Sequence, residues 1–284
     1  MDVVTTLAQW RDATDAIRSR GERVGLVPTM GALHAGHASL ITEARRRGDV
    51  PVVTIFVNPR QFNDASDLAA YPRTLEADLA LVADYGAAVV VTPSVREMWP
   101  EGVVTTVHVE GPALGLEGAD RPGHFDGVAS VVTKLFAITG PCRAYFGEKD
   151  FQQLAVIRAL STDLGLPVSV VGCPIVRDED GLALSSRNVR LSSAGRQTAL
   201  ALSRAVAAAQ DLGPRPASEL RRAMRRVLTA SGVDVAYAEV VHATSLRPLA
   251  DDDSGAARAL VAGVIEGVRL IDNAEVLCLA REEN

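Results

Sequence analysis

Two hydrophobic periods share the first two thirds of the chain. Continuous apolar runs at residues 24–27, 50–57 and 87–91 read as strands buried on both faces. The β-branched stretch 103–109 and the shorter runs 143–146 and 167–171 add three more strands. Between these lie stretches with helical spacing at 38–47, 72–85, 127–138 and 151–164. Leu75, Leu79 and Val82 mark the apolar face of the second. Residues 1–20 are polar with a helical stripe through Leu7, Trp10 and Ile17.

Alternating strand and helix predicts βαβ units with right-handed crossovers, hence an α/β fold: a doubly wound, Rossmann-like parallel sheet with its ligand crevice at the carboxyl ends of the strands. The pattern changes near 173–180. A polar, hairpin-like loop follows, then an Ala-rich helix at 193–212, a break at Gly213-Pro214-Arg215-Pro216, a second helix at 217–231, and strands at 235–242, 258–265 and 275–279. This reads as a smaller α+β domain. The expected division is 1–175 for a nucleotide- and substrate-binding domain and 176–284 for a C-terminal lid domain. Asp251-Asp252-Asp253-Ser254-Gly255 reads as a solvated loop.

Composition narrows the class. The chain has 284 residues, 48% of them hydrophobic, with no apolar run long enough to cross a membrane. The N-terminal stretch lacks the apolar core of a signal peptide, so a cytoplasmic protein is expected. Three widely spaced cysteines, Cys142, Cys173 and Cys278, form no metal-binding pair and read as buried thiols in a reducing compartment. The net charge of −6 argues against a nucleic-acid partner but not against a nucleotide, which needs only a local positive site. Of 29 basic residues only Lys134 and Lys149 are lysines. A lysine retained among so many arginines marks a place where a compact ammonium can do what a guanidinium fork cannot, although chance also leaves lysines anywhere.

Four clusters can carry chemistry. Met30-Gly31-Ala32-Leu33-His34-Ala35-Gly36-His37 lies at a strand-to-helix turn, where amide groups and the helix dipole favour phosphate. Its two imidazoles can face one phosphate, with Gly36 allowing close backbone approach. Gly147-Glu148-Lys149-Asp150 sits at a second strand end; Lys149 can meet an anion there, and the same residues would also make an ordinary helix cap. Leu184-Ser185-Ser186-Arg187 follows a glycine turn and offers hydroxyls and a guanidinium to a polyphosphate, or simply a turn before a helix. Asn58-Pro59-Arg60-Gln61-Phe62 ends a buried strand, and Gln61 offers donor and acceptor to a small polar acid. Downstream, Asp78 is either a Mg²⁺ contact or an exposed helix carboxylate. Arg121 is either a partner for a substrate carboxylate or a solvated loop arginine. No Ser-His-Asp or Cys-His set is recognisable, so no covalent enzyme intermediate is expected.

Taken together, PTMGALHAGH, FVNPRQF, YPRT, RPGHF, FGEKDFQQL and DGLALSSRN, in that order, resemble the pantothenate synthetase (pantoate–β-alanine ligase) family almost end to end. His34-Ala35-Gly36-His37 resembles the HIGH signature of class I aminoacyl-tRNA synthetases and related nucleotidyltransferases, and Leu184–Asn188 resembles the counterpart of their KMSKS loop. The resemblance implies an ATP-dependent ligase that condenses (R)-pantoate with β-alanine. Pantoate attacks the α-phosphate of ATP to give pantoyl adenylate and pyrophosphate, and β-alanine then displaces AMP.

The resemblance further implies that Met30 to His37, Gly147 to Asp150, Val176 and Leu184 to Arg187 bind ATP. His37, His34 and Lys149 would be catalytic. Gln61, Gln153 and Arg121 would hold pantoate or β-alanine. Mg²⁺ would accompany ATP with Asp78 near it, the second domain would close over the nucleotide, and the protein would be a homodimer. The rival reading is another nucleotidyltransferase of the same fold acting on a different small acid. A nucleotide sensor and a tRNA-aminoacylating enzyme fit the motifs and the charge less well.

Overall fold

The computed structural model describes residues 1–281, and the chain divides into two compact units. One comprises Met1–Glu148 and Gln152–Pro174; the other comprises Lys149–Phe151 and the chain from Ile175 onward.

In chain order the first unit contains β1 (Asp2–Val4), α1 (Leu7–Ser19), β2 (Arg23–Thr29), α2 (Ala35–Arg46), β3 (Asp49–Ile55), a 3₁₀ turn (Pro59–Gln61), α3 (Ala65–Ala70), α4 (Leu75–Asp84), β4 (Val89–Val91), α5 (Val95–Met98), α6 (Leu116–Asp120), α7 (His124–Thr139), β5 (Cys142–Gly147), α8 (Phe151–Asp163, whose first residue groups with the other unit) and β6 (Val168–Cys173). The sheet has the order β1-β4-β3-β2-β5-β6, and every pairing is parallel. Strand order reverses beside β2, so the turn after β2 lies where a doubly wound sheet opens its crevice. The expected parallel α/β sheet is therefore observed.

The core explains the continuous apolar runs. Val24, Leu26, Val52, Val91 and Ala144 pack with Trp10, Phe136 and Ile157 in one cluster, while Val27, Val53 and Val90 pack with Ile41 and Val82 in another. Adjacent residues of one strand thus enter different clusters, as a sheet covered on both faces requires.

Two expectations fail locally. Residues 103–109 form no strand: Val104 is 93% exposed, and the segment is an extended loop. It is held by Ser130 Oγ, which accepts the Val107 amide, and by Arg60, which donates to the Thr105 carbonyl. β-branched residues suit extended backbone, but a strand also needs a partner edge, and none is paired here. Conversely, residues 2–4, expected within a helix, form β1 along Val89–Val91. α1 begins only at Leu7, where Thr6 and Gln9 form a reciprocal capping box.

The second unit contains α9 (Ser193–Asp211), α10 (Ala217–Ala230), β7 (Asp234–His242), β8 (Gly255–Ile265) and β9 (Val268–Cys278). The three strands form an antiparallel sheet in the order β7-β8-β9. α9 and α10 bury Leu202, Val206, Leu220 and Met224 against Val240, Val261 and Val276. The last two strands are longer than their apolar spacing predicts, because β8 and β9 pair continuously from Gly255–Cys278 to Ile265–Val268. Cross-strand hydrogen bonding carries polar Asp272 and Asn273 into the sheet. Among the described residues no helix is long and apolar enough to cross a membrane.

Candidate active site

The turn after β2 is built by three devices. First, the backbone enters the left-handed region at Gly31 (φ 84°) and again at Ala32 (φ 50°), which carries a Cβ. A non-glycine residue is held there only when its surroundings compensate.

Second, Asp78 supplies that compensation. Its Oδ2 accepts the Ala32 amide at 3.0 Å, its Oδ1 accepts the Leu33 amide at 2.8 Å, and Thr74 Oγ1 donates to Oδ1 at 3.2 Å. Asp78 is 2% exposed, so it is not a solvated helix carboxylate. Both oxygens are committed to the turn, and among the described residues no group of three or more His, Cys, Asp or Glu side chains gathers to hold a metal. These residues do not make a protein-built Mg²⁺ cage.

Third, His34 caps α2. Its Nδ1 accepts the Gly36 amide at 3.1 Å, and His37 Nδ1 accepts the His34 amide at 3.3 Å, a capping box made of two imidazoles. Their ring centroids are 4.1 Å apart. Because each Nδ1 accepts, each neutral ring carries its proton on Nε2. Two Nε2–H donors at a helix N-terminus form an arrangement suited to phosphate oxygens.

Gln61 closes the 3₁₀ turn after β3 and is 8% exposed. Asn58, the N-cap of that turn, donates from Nδ2 to Gln61 Oε1 at 3.1 Å, and Gln61 Nε2 donates to Met30 Sδ at 3.0 Å. Two predicted residues from different clusters, Met30 and Gln61, are therefore in contact. α7 lies directly on this turn: a Cβ on Gly127 would collide with the Arg60 carbonyl and Gln61 Cα, so glycine is what permits the approach.

Arg121 is tied to the same turn. His124 Nδ1 lies 2.8 Å from the Gln61 carbonyl, which can only accept, so Nδ1 carries the proton and Nε2 accepts from Arg121 Nη1 at 3.1 Å. His124 thus holds the tautomer opposite to that of His34 and His37.

The adjacent glutamines of α8 separate in role. Gln152 is 4% exposed; it accepts the Glu117 amide and donates to the carbonyls of Pro112, Leu114 and Gly115. Gln153 is half-buried beside it and makes none of these bonds. Gly147 ends β5, and Glu148 follows it.

In the second unit, Lys149 Nζ lies 3.4 Å from Asp150 Oδ1. The Lys149 carbonyl accepts from Asn273 Nδ2 at 2.9 Å, and the Arg258 guanidinium stacks 4.1 Å above the Phe151 ring. These contacts group Lys149–Phe151 with the second unit although the sequence assigns them to the first. Leu184 donates its amide to the Val176 carbonyl, and Arg177 pairs bidentately with Asp272 at 2.6 and 2.9 Å. Arg196 binds Asp178 and Asp180, and its hydrogen bond holds the Asp180 carboxyl below the usual carboxylate range. On this frame Ser185 Oγ accepts the Arg187 amide, with Ser185, Ser186 and Arg187 half-buried.

Sequence reasoning placed Asn58 in a candidate cluster without giving it a role, and gave none to Trp99 or His124. The Asn-Pro-Arg-Gln spacing held a signal for the first, since i and i+3 side chains eclipse in a 3₁₀ turn. Trp99 and His124 reach this turn through partners 41 and 63 residues away, which no local pattern shows.

The family model for pantoate–β-alanine ligase matches residues 2–275. A pantothenate synthetase of Myxococcus xanthus is 51% identical over 287 residues, covering 99% of this chain and 97% of the relative. One from Cereibacter sphaeroides is 50% identical over 277 residues, covering 96% and 99%. The crystal structure of pantothenate synthetase from Thermus thermophilus superposes with a TM-score of 0.89 at 48% identity, covering 96% of this chain and 99% of that one. A pantoate–β-alanine ligase from Francisella tularensis, crystallised with beta-gamma ATP and β-alanine, gives 0.80 at 34% identity, covering 96% and 97%. With its parallel sheet, its paired histidines and these matches along nearly its whole length, the chain belongs to the pantoate–β-alanine ligase family.

Proposed function

We propose that this chain condenses (R)-pantoate with β-alanine at the expense of ATP, through pantoyl adenylate, with release of pyrophosphate and then AMP. The observation that carries the residue-level reading is the paired Nδ1 acceptance of His34 and His37, which leaves the proton of each neutral ring on Nε2 at a helix N-terminus. A carboxylate attacking a polyanion needs fixed donors where charge develops on the phosphate oxygens, and these rings supply them without reorganisation.

In this reading Met30 to His37, Gly147 to Asp150, Val176 and Leu184 to Arg187 bind ATP, with Lys149 and Arg187 as its cations. Gln61 and Gln153 hold pantoate, and Arg121, steadied by His124, pairs with a substrate carboxylate. Mg²⁺ arrives on the ATP phosphates, whose oxygens it prefers. Asp78 keeps the donor turn in shape instead of binding that ion. The homodimer and the cytoplasmic location come with the family resemblance.

The test is pyrophosphate release by purified protein with Mg-ATP and (R)-pantoate, before and after addition of β-alanine. Pantoate-dependent release, followed by sustained formation of AMP and pantothenate, is the expected result. Release that depends on a different acid would make the chain another nucleotidyltransferase, and ATP binding without release would make it a sensor.

A further inference from the structure

Gln61 sits at the end of a chain of side chains whose polarity has only one solution. Trp99 Nε1 donates to Asn58 Oδ1 at 3.0 Å, and an indole can only donate. The Arg60 amide, another obligate donor, reaches the same oxygen at 3.3 Å. On its other side, Asn58 Nδ2 lies 3.1 Å from the Gly127 carbonyl, an obligate acceptor. The Asn58 amide therefore cannot turn over without opposing donors to donors and an oxygen to a carbonyl. Its Nδ2 must face Gln61, so Gln61 Oε1 must face Asn58 and Gln61 Nε2 must face Met30.

The head of this relay is itself held. Lys134, one of only two lysines in the chain, donates to the Met98 carbonyl next to Trp99, and its Nζ stands 5.3 Å from the indole centroid. Arg60 Cζ stands 4.7 Å from the same centroid. An electron-rich indole beside two cations gains from both, which helps to hold the ring in place. A compact ammonium fits a bond to a single carbonyl better than a planar fork does.

We propose that Trp99 is a positioning residue that, through Asn58, fixes Gln61 as a hydrogen-bond donor toward pantoate. Gln61 then recognises an oxygen acceptor on the acid, and its apparent choice between donor and acceptor is removed before substrate arrives. This rests on the reading that Gln61 holds pantoate.

The experiment is a double-mutant cycle of Trp99→Phe and Gln61→Ala, with KM for pantoate and for ATP measured in each folded variant. Trp99→Phe keeps an aromatic ring but deletes the donor, and should raise the pantoate KM about tenfold while leaving the ATP KM unchanged. In the Gln61→Ala background it should add nothing, because the relay acts only through Gln61. A pantoate KM unchanged by Trp99→Phe, or the same fold-change in both backgrounds, overturns the relay. An unchanged pantoate KM in Gln61→Ala alone overturns the placement of Gln61, and the relay with it. Should Trp99→Phe fail to fold, Asn58→Asp replaces it. That variant sets an oxygen against Gln61 Oε1, reverses the Gln61 amide and should raise the pantoate KM; an unchanged value overturns the proposal.

Discussion

Asp78 accepts the Leu33 amide at 2.8 Å across 45 residues of sequence, while its other oxygen accepts the neighbouring Ala32 amide. One buried carboxylate from α4 thus holds a left-handed turn of the β2–α2 connection, and that turn sets where α2 begins and where His34 and His37 stand. Its bonds make it a clamp on that turn.

Asp78→Asn keeps the shape but replaces one acceptor oxygen with a donor, which then opposes an amide N–H. The variant should lose about 1–3 kcal/mol of stability. Its pantoate-dependent pyrophosphate release should slow, with an unchanged Mg²⁺ concentration dependence. Urea denaturation and a Mg²⁺ titration of the rate check this, and a raised Mg²⁺ requirement would return Asp78 to the metal.

His37→Ala should slow adenylation by about 2–4 kcal/mol of barrier, the scale of losing one preorganised donor. His34→Ala should do the same and also destabilise the protein by about 0.5–2 kcal/mol, because His34 is the N-cap of α2. Single-turnover pyrophosphate release and thermal unfolding, measured on both variants, separate the two effects.

The two adjacent glutamines of α8 should part company. Gln152→Ala takes the acceptor from the Glu117 amide and the donor from the carbonyls of Pro112, Leu114 and Gly115, and should cost about 2–4 kcal/mol of stability. Gln153→Ala should leave unfolding unchanged and raise the pantoate KM more than the ATP KM. Equal effects on both KM values would remove Gln153 from the pantoate site.

Burial pushes the Cys142 thiol up to about 12 and the Cys173 thiol up to about 11. With all three cysteines buried and unpaired, an aromatic disulfide reagent at pH 8 should label none in the native state and all three in denaturant. The sign for stability follows from the raised values. The unfolded thiols ionise first, so the contribution is full below about pH 9 and is lost as pH rises through 11 and 12.

At the acid end, hydrogen bonds from Arg46 and Arg47 lower the Glu43 carboxyl to about 2. The folded value lies below the unfolded one, so the contribution is present above about pH 4.5 and lost as pH falls toward 2. The pairs are partly exposed, so the effect is small and weakens with salt. Glu43→Gln should flatten that limb of a pH-stability curve measured at low ionic strength.

The linear chain already carried the parallel sheet, the two histidines at the strand-to-helix turn and the family. Each depends on short-range order: apolar runs for strands buried on both faces, a glycine-bearing turn before a helix, and motifs in fixed succession. Tertiary structure decided what a residue's partners are. It separated Gln152 from Gln153, set Asp78 against the Ala32 and Leu33 amides, left residues 103–109 without a strand partner, and tied Trp99 through Asn58 to Gln61. Apolar periodicity reports which face of an element is buried, whereas a buried polar group takes its role from whatever donor or acceptor the fold sets against it. Asp78, Trp99 and His124 each have a partner 45, 41 or 63 residues away, beyond the reach of any local pattern.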